Sequence, residues 1–188
     1  MKEPDNVLRI LRETQKSIIR KEYSRLKHLS NQTINTASRT HDPDNILLAV
    51  VVYALGKIYE RENYHELPGW NKYKQILDSS LSKAVLAMEK EKHSEAISHL
   101  ELMRDSVNKL SGKLKKYISD VFRRASINKA SRMHEHGISM ERTAKLLGVT
   151  MWELADYVGE TGIADVKENI SSATSLKGRI KLAMEMFE

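Results

Sequence analysis

The run "ILLAVVVYAL", Ile46 to Leu55, is the feature that most narrows what this chain can become. It is apolar on every side of a helix, the pattern of a helix buried on most of its faces. It is also too short to cross a bilayer, which takes about 20 apolar residues. The rest of the chain must therefore wall it in. With 188 residues there is enough for one domain with a proper core or two small ones.

Composition says what those walls are made of. Aromatic residues are only 6%, Gly numbers 8 and Pro 3, while Leu, Ala, Met, Lys and Glu are plentiful. Sheets favour β-branched and aromatic residues, so the expectation is an all-α protein. There is no cysteine, so disulfides and thiolate chemistry are excluded, which fits a reducing cytoplasm. The opening "MKEPDNVLRILRETQKS" lacks the continuous apolar core of a signal peptide. A soluble, cytoplasmic protein without membrane partners is expected.

Helix signals recur along the chain. Pro4 and Asp5 open a first helix with Val7, Leu8, Leu11, Ile18, Ile19, Leu26 and Leu29 at helical spacing. It is expected to fray or become a linker through "SNQTINTASRT", where Ser, Thr and Asn compete for backbone hydrogen bonds. Asp42 and Pro43 start a second helix that carries the apolar run to about Tyr64. "ELPGW" breaks it, and a third helix spans about Trp70 to Glu89. Ser94 is positioned to cap a fourth, with a kink or short turn at Ser111–Gly112. Four such helices can close a bundle over residues 1 to about 120.

The net charge of +6 is unevenly placed. Residues 109–129 hold Lys109, Lys113, Lys115, Lys116, Arg123, Arg124 and Lys129 against the single acid Asp120. Residues 130–188 hold seven basic residues against nine acidic ones, a net −2. At about 100° per residue, Lys109, Lys113, Lys116, Arg123 and Arg124 fall opposite the apolar side of their helix. Such a face can hold phosphates or simply be solvated.

After this basic segment comes a helix-turn-helix. Gly137 ends the helix Ile127–His136, and Ser139 caps "MERTAKLL", which stops at Gly148. Thr150 caps the next helix, with Glu153 three residues on completing a capping box. Ala144 is small where two helices must cross, and Val149 and Leu154 are apolar where the unit packs on its core.

The stretch "HGISMERTAKLLGVTMWELADYVGETGI" resembles the helix-turn-helix core of small prokaryotic antitoxin-like proteins, often encoded beside PIN-domain ribonuclease toxins. Gly137, Ile138, Ser139, Ala144, Leu147, Gly148, Val149, Thr150, Trp152 and Glu153 match that family's pattern. The closing "SLKGRIKLAMEMFE" is similar to the short amphipathic tail of such proteins. The resemblance covers about residues 127–188; the long N-terminal part departs from the minimal family. It implies an antitoxin that represses its own operon and binds a PIN-type toxin.

If the motif reads DNA, the start of its second helix meets base edges. Thr150, Met151, Trp152, Ala155 and Asp156 are then the base-facing residues. That surface has no Arg, Lys, Asn or Gln for bidentate base contacts. Phosphate contacts fall to Ser139, Arg142, Lys145, Arg132, Arg123, Arg124 and Lys116. The opposing reading has Trp152 packed against a neighbouring helix, the acids facing solvent and the motif serving as a dimer or partner surface. In the tail, Leu176, Ile180, Ala183, Met184 and Phe187 form a stripe that either folds back or lies in a partner's groove.

Catalysis finds no foothold in the sequence. No Ser/His/Asp set, phosphate-cradling glycine loop or clustered carboxylates occur. His134 and His136, two apart, point to different sides of a helix and cannot share a metal. The expected protein is non-enzymatic, without metal or cofactor. Its expected parts are a helical bundle (1–125), a helix-turn-helix (126–163), and a linker with an amphipathic tail helix (164–188). Its expected function is DNA-binding regulation with duplex DNA, a toxin or a second copy as partners. The alternative is a helical protein-interaction module whose helix-turn-helix does not bind DNA.

Overall fold

In the computed structural model, which describes residues 1–160, the chain builds only helices. They are α1 (Pro4–Ile19), α2 (Tyr23–Thr40), α3 (Pro43–Glu60), α4 (Trp70–Glu89), α5 (His93–Asp105), α6 (Gly112–Glu135), α7 (Met140–Leu147) and α8 (Met151–Glu160). Single 3-10 turns at Glu62–Tyr64 and Ser106–Lys109 fill two of the connections. Among the described residues the fold is all-α, and no helix is long and apolar enough to cross a membrane. Residues 161–163, ending the helix-turn-helix stretch, and the tail 164–188 with Leu176, Ile180, Met184 and Phe187 lie outside the described residues.

Helix α3 is the centre. Asp42 caps it by accepting from the Asp44 amide at 3.2 Å. From Ile46 to Leu55 every side chain is buried except the half-buried Leu47 and Tyr53. Helices α1, α2, α5 and α6 pack around it, α2 most extensively. Burying each large apolar side chain stabilises the fold by about 1.5–3 kcal/mol. Close approach to α2 depends on Gly56, where an added Cβ would come within 3.1 Å of Leu26 Cβ.

The walls differ from expectation in instructive places. The first helical stretch is two helices, broken at Arg20–Glu22. Lys21 takes a left-handed conformation (φ 57°) and the Glu22 amide donates back to the Ser17 carbonyl at 2.8 Å. The "SNQTINTASRT" segment is the second half of α2, not a frayed end. Its hydroxyls do not compete with the helix. Thr33 Oγ1 donates to the Leu29 carbonyl at 2.9 Å and Ser38 Oγ to that of Ile34 at 2.8 Å. Ser30 Oγ instead reaches the Ala49 carbonyl of α3 at 2.6 Å, a contact that only a small side chain permits. Helix α3 ends at Glu60 rather than at Tyr64, and α5 begins at His93, so Ser94 lies inside it rather than capping it.

The boundary expected between residues 125 and 126 falls inside α6, which runs unbroken to Glu135 and so contains the helix expected at Ile127–His136 except its last residue, His136, the C-cap. Ile34 and Ala37 of α2, Ile46 and Ala49 of α3 and Met133 of α6 form one buried cluster with Ile138, against which Leu146 and Leu147 of α7 pack. Beside it, Ala130, Ala144, Val149, Leu154 and Val158 join α6, α7 and α8. The helix-turn-helix is thus seated on the bundle through shared core.

Lys129, part of the basic segment by sequence, is fully buried. Its Nζ donates to Asn31 Oδ1 at 2.8 Å and lies 4.5 Å from the centroid of the Tyr53 ring. No carboxylate pairs with it among the described residues. Burial, helped by repulsion from Arg132 and Lys27, pushes its amine down from 10.5 to about 7. Between those values the unfolded chain binds more protons than the folded one. Lys129's contribution to stability therefore rises with pH there, by up to about 1.4 kcal/mol per pH unit, and is least favourable below pH 7. Lys129→Met should raise Tm at pH 7, and the gain should shrink as the pH approaches 10. Thermal melts across that range check it; a gain independent of pH would mean that the lysine is not buried as a charge-averse group.

Candidate nucleic-acid interface

The helix-turn-helix owes its local shape to its caps. Ser139 Oγ accepts from the Arg142 amide at 3.3 Å, which starts α7. Gly148 stops it in a left-handed conformation (φ 63°) that other residues adopt only with strain. Thr150 and Glu153 form the capping box: the Thr150 amide donates to Glu153 Oε2 at 2.9 Å, and the Glu153 amide to Thr150 Oγ1 at 3.2 Å. Leu154 and Val158 bury one side of α8. Trp152 and Asp156, four residues apart, stand on the opposite side.

One residue ties this unit to the bundle. Arg123 of α6 donates from Nε to Glu153 Oε1 at 2.7 Å and from Nη2 to Glu153 Oε2. Its Nη1 donates to the Gly148 carbonyl at 2.8 Å. A single guanidinium thus holds the turn and the cap of α8 together, a fork geometry that lysine lacks. The hydrogen bonds from Arg123, followed by those from Thr150, hold the Glu153 carboxyl down at about 2. A second latch joins Asn128 Nδ2 to the Tyr157 hydroxyl at 2.9 Å.

The base-facing candidates are all exposed, but not alike. Trp152 is 84% exposed and Met151 50%, so Trp152 does not pack on a neighbouring helix among the described residues. The Thr150 hydroxyl is engaged in the cap, donating to Glu153 Oε2 at 2.6 Å. Ala155 is exposed, and Asp156 borders a cleft of about 510 Å³ between α6 and α8 that Tyr53, Asn128 and Tyr157 also line.

The phosphate candidates divide. Arg123 is consumed by Glu153, Arg124 pairs with Asp120 at 2.9 Å while staying 75% exposed, and Arg132 pairs with Glu135 at 2.8 Å. Ser139 uses its hydroxyl as a cap. Arg142 reaches His41 Nδ1 at 2.9 Å and has no carboxylate partner among the described residues. Lys145 and Lys116 are exposed and carry no ion pair among the described residues. Among the described residues, the cations near the motif without a carboxylate partner are therefore Arg142 and Lys145, with Lys113, Lys115 and Lys116 further up α6. Sequence reasoning missed the Arg123–Glu153 clamp, although both residues were in view separately. No group of three or more His, Asp or Glu side chains that could hold a metal occurs among the described residues.

The clamp has a measurable signature. A carbon-13 NMR titration of the Glu153 carboxyl should give a midpoint near 2. Since the shift comes first from Arg123, Arg123→Ala should return the midpoint toward the ordinary 4.5. The support it lends α8 is present above pH 4.5 and is lost as the pH falls through about 2. A midpoint unchanged by Arg123→Ala would show that the two side chains do not pair in solution. Comparisons with protein families, with curated proteins and with solved structures return no match.

Proposed function

We propose that this chain is a non-enzymatic DNA-binding regulator that docks through α7 and α8. The observation that carries the reading is the presentation of α8. Its first turn stands outside the body of the protein with Met151 and Trp152 exposed, while its cap, its turn and Arg123 fix its direction. The acid that argues most against a groove, Glu153, is neutralised by Arg123 and so does not repel phosphate as a free carboxylate. Thymine methyl groups in the major groove accept apolar contacts of the kind Met151, Trp152 and Ala155 offer. Arg142 and Lys145 supply phosphate contacts from α7. The resemblance of Gly137–Glu153 to antitoxin-like proteins extends the proposal to repression of the chain's own operon and to a PIN-domain partner.

A second reading is favoured by one observation. The exposed side of α8 has no Lys or Arg and presents a tryptophan beside a methionine, the composition of a protein-binding hot spot. In that reading α8 meets a second copy or another protein.

Retardation of a random-sequence duplex pool, from about 50 to about 200 mM salt, separates them. The DNA reading expects binding that weakens with salt, and a salt slope lower by about two in Arg142→Glu/Lys145→Glu, on all sequences alike. Trp152→Ala should lower duplex affinity with Tm unchanged, because the side chain is outside the core. No retention at about 50 mM salt, with a Trp152-dependent mass in light scattering, would overturn the DNA reading in favour of the second.

A further inference from the structure

A cavity of about 410 Å³, lined by no residue of α7 or α8, opens where the α1–α2 turn faces the end of α3 and the middle of α4. Its volume lies in the range of small-molecule sites, about 300–1,000 Å³. The lining is mainly apolar. Ile18 and Ile19 form one wall, Leu81 another, and the rings of Tyr23 and Tyr59 stack at 6.4 Å and 21° to make the third. Ile19 is 76% exposed and gains nothing from its own fold by being there.

Eight of the eleven residues that line this cavity carry a polar group at the end of the side chain, and several of these groups are already paired with one another. The Tyr59 hydroxyl donates to Asp78 Oδ1, and Lys74 Nζ pairs with Asp78 Oδ2, lying 5.8 Å from the Tyr59 ring centroid. Gln15 donates to Ser82 at 3.0 Å. The Asp78–Lys74 pair is neutral as a unit. That leaves Lys21, exposed on the turn and without an ion pair among the described residues, as the uncompensated charge of the cavity. His65 closes the rim, stacked on Trp70 at 4.7 Å and 24°. A stacked aromatic wall, a branched aliphatic wall and one unbalanced cation together select a flat apolar body with a negative end.

We propose that this cavity binds a small amphipathic anion, a planar aromatic molecule bearing one carboxylate or sulfonate. The ring system lies against Tyr23, Tyr59 and Ile19, and the anion meets Lys21 at the mouth. This site is separate from α8 and does not depend on whether α8 binds DNA.

The test uses the full chain carrying Trp152→Phe, in which Trp70 is the remaining tryptophan. The probe is 8-anilino-1-naphthalenesulfonate, and N-phenyl-1-naphthylamine serves as its uncharged counterpart. Saturable, one-to-one binding of the sulfonate with quenching of Trp70 is expected, at least ten-fold tighter than that of the uncharged probe. Lys21→Glu and Ile19→Glu should each weaken it ten-fold or more. Leu102→Glu, which places the same charge on an exposed apolar position of α5, should leave it unchanged. Circular dichroism confirms that each variant is folded; Lys21 and Ile19 are exposed, so neither change disturbs the core. Non-saturable binding, equal affinity for the two probes, or indifference to both cavity variants would overturn the proposal.

Discussion

A helix with no polar side has to be enclosed, and the enclosure of α3 organises everything else in this molecule. An amphipathic helix can stop at one neighbour; α3 needs neighbours all round. Helix α2 supplies the tightest wall by offering Ser30, Thr33 and Ala37 along its second half and by meeting Gly56, so that the two backbones approach closely. Helices α1 and α5 complete two more sides. The remaining side falls to α6, and this choice links core to surface. One end of α6 buries Leu114, Ile118 and Phe122 in the main core. Its other end contributes Met133 and Ala130 to the clusters that seat α7 and α8. The same rod that closes the bundle carries the helix-turn-helix.

Much of this was legible in the sequence where local rules and tertiary demands agree. The limits of α4 follow from "ELPGW" and from the end of its apolar pattern, and the caps at Asp42, Ser139 and Thr150 form as their residue types dictate. The break between α1 and α2 was hidden because the left-handed residue there is Lys21, not glycine. The second half of α2 was hidden because hydroxyl residues have weak helix propensity. Here packing against α3 overrides propensity, and the hydroxyls return to their own helix carbonyls. Lys129 was hidden because a lysine reads as surface. Nothing local says that Asn31 and Tyr53 will enclose it.

The candidate site was half legible for a related reason. Single-residue reading assigned Arg123 to phosphate and counted Glu153 as a repulsive acid. They lie thirty positions apart, and only the fold brings them together. Their pairing cancels one argument for DNA and one against it. The formal charge of residues 109–129 overstates what a polyanion would meet, since Arg123 and Arg124 have carboxylate partners and Lys129 is inside. Among the described residues, the cations near the motif that lack a carboxylate partner are Arg142 and Lys145, with the lysines of early α6 lying about two to three helical turns from Arg123.

What remains distinctive is the contrast between the two tryptophans. Trp70 is sealed in the core against Tyr59 and His65, whereas Trp152 is almost wholly in water. An exposed aromatic on a frayed segment would carry little meaning. Trp152 is different because the backbone beneath it is held three ways: by the capping box, by Arg123 on the Gly148 carbonyl, and by Leu154 in the core. A side chain whose backbone is already ordered loses less conformational freedom on binding than one that must first be fixed. A tryptophan also has only two side-chain torsions to settle while offering a large contact area. Under the proposed DNA reading and under the protein-interaction reading alike, a partner meeting Trp152 would find part of the entropic cost of recognition already met by the fold.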